Sequence, residues 1–186
     1  MNPLLAAGLE IQTFFSEQSW RFCLIGGLAV IRWGEIRTTQ DVDITLLTGF
    51  GDEKAHIDQV LHRFQPRMPD AGSFAMESRV LLVLASNKVE IDINLAAFPF
   101  EEMVVERATP FAFADRCRLL TCSAEDLIVY KVFANRTRDW LDVEGILRRQ
   151  KDLDWAYIRR HLPGLCEIKG QLENLDKLDE LKARYG

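Results

Sequence analysis

Apolar positions along the chain switch between two periods. Pro3 is followed by Leu4, Leu5, Leu9, Ile11 and Phe14-Phe15, a spacing that predicts an opening helix with proline near its first turn. Arg21 to Ile25 is a short apolar run that predicts a strand. It leads into Gly26-Gly27 and a helix over Leu28 to Trp33, which Gly34 stops. From Asp41 to Leu47, acidic or polar residues alternate with Val42, Ile44 and Leu46, the period of a strand with two distinct faces. Gly49 and Gly51 break this strand; residues 52–64 then predict an amphipathic helix and 66–72 a loop. Ser78 to Leu84 and Lys88 to Leu95 read as two strands turning through Ser86-Asn87. Residues 100–108 predict a helix, and Arg118-Leu119-Leu120 a last short strand.

The pattern changes at Ser123. Ser123-Ala124-Glu125-Asp126 has the form of an N-cap with an acid at N3, ahead of Leu127-Ile128-Val129. The rest of the chain is helical in period over 123–135, 138–150, 154–162 and 166–183, with no repeat or low-complexity segment. The expected fold class is α/β in the α+β sense. A mixed β-sheet flanked by helices occupies residues 1–120, and a helical C-terminal portion, 121–186, packs on it as a single unit.

Composition narrows the class. The 186 residues are 48% apolar and 27% charged, as in an ordinary globular protein. No apolar stretch reaches the roughly 18 residues of a membrane span. The start, Met1 to Ala7, lacks the basic region and apolar core of a signal peptide, so cytoplasmic residence is the expectation. Cys23, Cys117, Cys122 and Cys166 form no C-x-x-C pair and read as buried or free thiols. A net charge of -5 argues against a broad nucleic-acid surface. Arg148-Arg149-Lys151 and Arg159-Arg160 are local basic clusters that could meet phosphates or form solvated helix faces. The leucines at 172, 175, 178 and 181 could cover this chain or a partner and leave oligomeric state open.

Three features carry chemistry. Gly26-Gly27 joins a strand to a helix, where the backbone can approach a ligand closely and unpaired N–H groups face phosphate. In Asp41-Val42-Asp43, two carboxylates project to the same side of a strand. Their mutual repulsion is relieved by a cation, and hard oxygen ligands suit Mg²⁺ or Mn²⁺ shared with substrate phosphates. Glu90-Ile91-Asp92 is a second strand with acids on one face. If adjacent to the first, it completes a three-carboxylate cluster able to hold two metal ions about 3.5–4 Å apart.

The Gly26-Gly27 turn, residues 28–40 and Asp41-Val42-Asp43-Ile44 together resemble the nucleotidyltransferase superfamily related to DNA polymerase β. Arg37-Thr38-Thr39-Gln40-Asp41 further resembles the R-x-T-x-D-x-D form found in AbiEii-like toxins of type IV toxin–antitoxin systems. Ser123-Ala124-Glu125-Asp126-Leu127, Lys131, Ala134, Arg136, Asp139 and Asp142 resemble a downstream stretch of the same proteins. The resemblance covers roughly residues 20–150. The C-terminal portion is shorter than in larger family members, which bears on acceptor binding before catalysis.

The resemblance implies a nucleotidyltransferase-type fold. It also implies an enzyme that uses Mg²⁺ or Mn²⁺ to move an NMP from an NTP to an acceptor hydroxyl. It assigns metal to Asp41, Asp43 and Asp92, with Glu90 the competitor for the third place. Lys131 joins the aspartates as a catalytic residue. Nucleotide contacts fall to Gly26, Gly27, Arg37, Thr38, Thr39, Lys131, Arg136 and Asp139. The implied partners are an NTP, an RNA acceptor such as tRNA, and a cognate antitoxin; no membrane is implied. The alternatives are transfer to a protein or small-molecule hydroxyl, a catalytically silent nucleotide-binding or interaction module, and a metal-dependent nuclease.

Overall fold

The computed structural model of the chain describes residues 2–186. It is a mixed α/β structure whose contacts divide the chain into two compact units. The first holds the chain up to Leu28 together with Thr38–Cys122; the second holds Ala29–Arg37 and Ser123–Gly186. The sequence pattern changes character near residue 120, whereas by contacts the nine residues 29–37 also belong with the C-terminal part.

The elements of the first unit begin with α1 (Pro3–Glu17) and β1 (Phe22–Leu24). The helix α2 (Gly26–Trp33) starts there, followed by β2 (Asp41–Leu47), α3 (Glu53–Arg63), β3 (Gln65–Pro66), α4 (Ala71–Ser78) and β4 (Val80–Leu84). The unit closes with β5 (Glu90–Ala96), α5 (Pro99–Glu106), β6 (Thr109–Ala114) and β7 (Cys117–Thr121). The strands form one seven-stranded sheet in the order β3-β4-β5-β2-β1-β7-β6. The pairs β2–β5 and β1–β7 are parallel and the remaining pairs antiparallel.

Alternation in β2 and β5 decides which face is core. Val42, Ile44, Leu46, Ile91 and Ile93 are fully buried, as are Ile11 and Phe15 of α1, which packs against β2 and β7. Burying each large aliphatic side chain contributes about 1.5–3 kcal/mol. The opposite face carries Asp41 and Asp43 on β2, and Glu90 and Asp92 on β5. The parallel register sets Asp41 beside Glu90 and Asp43 beside Asp92.

Three elements of the first unit differ from expectation. Residues 66–72 are not all loop: Pro66 lies in β3, and α4 begins at Ala71 and runs to Ser78. In α4 only Ala71 and Ala75 are buried, so the apolar stripe that identifies a helix is too thin to read. Strand β6 is not expected from the sequence, because Pro110 argues against a strand and its residues are nearly all exposed, leaving no inward face. It sits at the sheet edge, where a proline is tolerated.

The second unit holds α6 (Ala124–Ala134), α7 (Thr137–Arg149), α8 (Trp155–Lys169) and α9 (Glu173–Tyr185). Ser123 is the N-cap of α6, its hydroxyl accepting from the Asp126 N–H at 3.1 Å. Asp126 is itself buried and accepts from the Tyr157 hydroxyl at 2.6 Å, tying α6 to α8. The helix α8 continues through Pro163, where the sequence predicts a break; Tyr157, Ile158, Leu162 and Cys166 are buried on both sides of the proline. It ends at Gly170, which adopts the left-handed conformation of a helix cap. None of the four cysteines is in a disulfide, and all four are buried. Among the described residues no helix is long and apolar enough to cross a membrane.

Candidate active site

Asp41, Asp43 and Asp92 each offer a carboxylate oxygen, and the three oxygens lie within 4.8 Å of one another. The parallel pairing of β2 and β5 produces this cluster. Residues two apart on β2 share a face, and Asp92 sits directly across from Asp43. The other acid of β5, Glu90, is across from Asp41 but lies outside the cluster.

Each of the three carboxylates has an orienting donor. The Thr39 hydroxyl donates to Asp41 Oδ1 at 2.9 Å. The backbone N–H of Gly27, in the first turn of α2, donates to Asp43 Oδ2 at 3.3 Å. Arg67 donates to Asp92 Oδ1 at 2.5 Å, while its second nitrogen lies 2.6 Å from Glu90 Oε2.

The two glycines are explained by what stands against them. A Cβ on Gly26 would lie 1.8 Å from Asp43 Oδ2, and Gly26 has φ +55. A Cβ on Gly27 would lie 2.2 Å from the Thr39 hydroxyl oxygen. Only residues without side chains let the start of α2 meet Asp43 and Thr39 at this distance.

Burial raises the Asp92 carboxyl above its ordinary range; Asp41 and Glu90 add to the rise, and Arg67 opposes it. Oxygens shared by one Mg²⁺ sit about 3–4 Å apart, given bonds of roughly 2.0–2.1 Å. An oxygen set spanning no more than 4.8 Å is of the size that one divalent cation could draw together. It is the one such group of His, Cys, Asp and Glu side chains found among the described residues.

The structure places the other sequence candidates differently. Lys131 is on α6 and 7% exposed, its ammonium 2.9 Å from Asp139 Oδ1 and 2.8 Å from Asp142 Oδ2. Arg37 holds Asp142 with two nitrogens, at 2.6 and 2.9 Å. Arg136 holds Asp139 in the same two-pronged way, at 2.7 and 3.2 Å. These five residues form one charge network within the second unit, and Asp139 and Asp142 are buried in it. Burial would raise the Asp139 carboxyl, but hydrogen bonds and charge from Arg136 and Lys131 outweigh it and hold the group below the usual range. Thr38 is exposed. Asp142 gave its signal in the sequence as part of the motif; its place at the centre of the network was not legible.

The family model described as a nucleotidyltransferase of unknown function (DUF6036) matches residues 3–185. The chain belongs to this nucleotidyltransferase family. Membership places it in the superfamily that the Gly26-Gly27 and Asp41-Val42-Asp43 pattern resembles, under a family description other than the AbiEii-like one. No curated protein matches the sequence.

Solved structures share the fold at low identity. An antigenic nucleotidyltransferase-like protein from Paracoccidioides brasiliensis superposes with a TM-score of 0.50 at 13% identity, over 92% of this chain and 91% of that one. The lincosamide antibiotic adenylyltransferase LnuA, solved with lincomycin bound, gives 0.52 at 12% identity, over 76% of this chain and 95% of that one. At these identities the likeness concerns the fold. It supports a nucleotidyltransferase-type sheet for the DUF6036 member described here.

Proposed function

We propose that the protein transfers an NMP from an NTP to an acceptor hydroxyl, with Asp41, Asp43 and Asp92 as the ligands for Mg²⁺ or Mn²⁺. The observation that carries this reading is the carboxylate triad, oxygens within 4.8 Å, beside the glycine-bounded start of α2. When bound, the divalent cation neutralises charge on the phosphates and on the attacking and leaving oxygens. The backbone N–H groups at the start of α2 are placed to favour an anionic phosphate. The acceptor oxygen bonds to the α-phosphorus, the bond to the β-phosphate oxygen breaks, and pyrophosphate leaves. Asp92, a carboxylate of the same cluster, would take the acceptor's proton as general base.

For Lys131, Arg37, Arg136 and Asp139 the role proposed is indirect. They neutralise one another in the second unit, and a direct phosphate contact by Lys131 would require it to leave two carboxylates. Thr38 and Thr39 are proposed as polar neighbours of the nucleotide; Thr39 also orients Asp41. The tRNA-directed toxin and antitoxin reading rests on the resemblance of Arg37–Asp41 and Ser123–Asp142 alone.

The test is incubation of the protein with each α-labelled NTP, Mg²⁺ or Mn²⁺, and total RNA or lysate, against an Asp43→Ala control. Label in RNA, protein or a small molecule identifies the acceptor class. If NTP is bound but nothing is labelled, the transferase reading fails in favour of a silent module. Shortened RNA would identify a nuclease.

A further inference from the structure

The segment after β3 brings an unassigned side chain into the carboxylate cluster. The Arg67 N–H bonds to the Leu82 carbonyl at 3.1 Å, extending the β3–β4 pairing of Pro66 with Val83. Leu82 in turn pairs with Asp92 across β4 and β5. Arg67 and Asp92 therefore lie on one line across the sheet, two strand spacings or about 10 Å apart along the backbone. That is within the reach of an arginine, and the guanidinium ends between Asp92 at 2.5 Å and Glu90 at 2.6 Å.

The geometry points to Arg67 as the positioning residue for Asp92, with Glu90 as the anchor of its second nitrogen rather than a metal ligand. This rests on the metal-site reading above. A guanidinium is a rigid planar fork, so gripping two carboxylates fixes both. Here one prong holds Oδ1 of Asp92 and leaves its other oxygen for a cation shared with Asp41 and Asp43. The other prong occupies Glu90, which explains why the acid that competes for the third place stands outside the triad. Arg67 also adds one positive charge among four carboxylates, so the cluster can assemble before a cation arrives.

Two effects of Arg67 on cation binding have opposite signs, which makes its role testable. If Arg67 acted only as a competing charge, removing it would tighten metal binding. If it holds Asp92 in place, removing it loosens metal binding, by the roughly 10–100-fold typical of residues that orient metal ligands. The experiment measures Mn²⁺ binding to the full-length protein, without nucleotide, by calorimetry or by EPR of free Mn²⁺. Parent, Arg67→Ala, Arg67→Lys and Glu90→Gln are compared at one neutral pH, with thermal melts to verify folding.

We expect Arg67→Ala and Arg67→Lys to bind at least about tenfold more weakly, Glu90→Gln to shift the same way by less, and added guanidinium to restore binding to Arg67→Ala. Arg67→Lys keeps the charge without the fork and decides between the two effects if Arg67→Ala does not fold. Tighter binding by Arg67→Ala, parent-like binding by Arg67→Lys, or no restoration by guanidinium would each overturn the role. A parent protein that binds no Mn²⁺ overturns the metal site itself. That outcome is distinct from a parent that binds and variants that are unchanged.

Discussion

The backbone N–H of Gly27 donates to the Asp43 carboxylate at 3.3 Å, and this contact exists because Gly26 has no side chain. A methyl group on Gly26 would overlap Asp43 at 1.8 Å, in a backbone conformation (φ +55) that itself costs an L-residue about 1–2 kcal/mol. Gly26→Ala is therefore expected to displace Asp43 and lower nucleotidyl transfer by about 100-fold, the scale of a misplacement near 1 Å. Gly27→Ala should act through Thr39 and Asp41 instead. Labelled-NMP transfer alongside urea denaturation separates the loss of activity from the loss of stability.

Removing a carboxylate from the triad should harm activity and spare the fold. Asp41, Asp43 and Asp92 crowd negative charge within 4.8 Å, so neutralising one relieves repulsion. Asp41→Asn and Asp43→Asn should lose on the order of 10²–10³ in turnover or more. Their melting temperatures without metal should be no lower than the parent's. Excess Mn²⁺ at about 100 times its Kd should stabilise the parent by roughly 2.7 kcal/mol and the variants by much less. Melting curves with and without Mn²⁺ check both statements.

Lys131 lies between two buried carboxylates, and its loss should register first as stability. Lys131→Met leaves Asp139 and Asp142 short of a partner and should cost about 3–5 kcal/mol, as removal of one member of a buried ion pair does. Arg136→Ala should cost less, because its side chain is 74% exposed and its pair with Asp139 is screened by solvent. Urea midpoints of the two variants give the comparison.

Asp139 sets a pH dependence for that network. Its folded pKa lies below the ordinary aspartate value of 3.8, so the folded state binds this proton more weakly than the unfolded chain. The stabilisation is complete above that ordinary value and is lost as pH falls through the depressed pKa. The stability difference between the parent and Asp139→Asn should accordingly be constant from pH 7 to about pH 5 and shrink below about pH 4. Denaturation curves across that range measure it; a gap that widens on acidification would contradict the assignment.

The sequence determined the parts of this protein that depend on local period and local chemistry. Alternation placed Asp41 and Asp43 on one face of β2, the glycine pair marked the start of α2, and Ser123 with Asp126 marked the start of α6. Short spacings encode these features, because a strand or a helix N-terminus is set by neighbours a few residues away. The adjacency of β2 and β5 could be stated only as a condition. Parallel pairing joins segments separated by some fifty residues, and only the folded sheet fixes its register. The same limit hid Arg67. It reaches Asp92 across β4, from beside a strand of two residues that leaves almost no periodic trace. Tertiary structure also decided the surroundings of Lys131, whose helix offers no narrow apolar stripe because most of its circumference is buried. The chain's pattern thus named the carboxylates, while packing chose the donors that orient them and the carboxylates that hold Lys131.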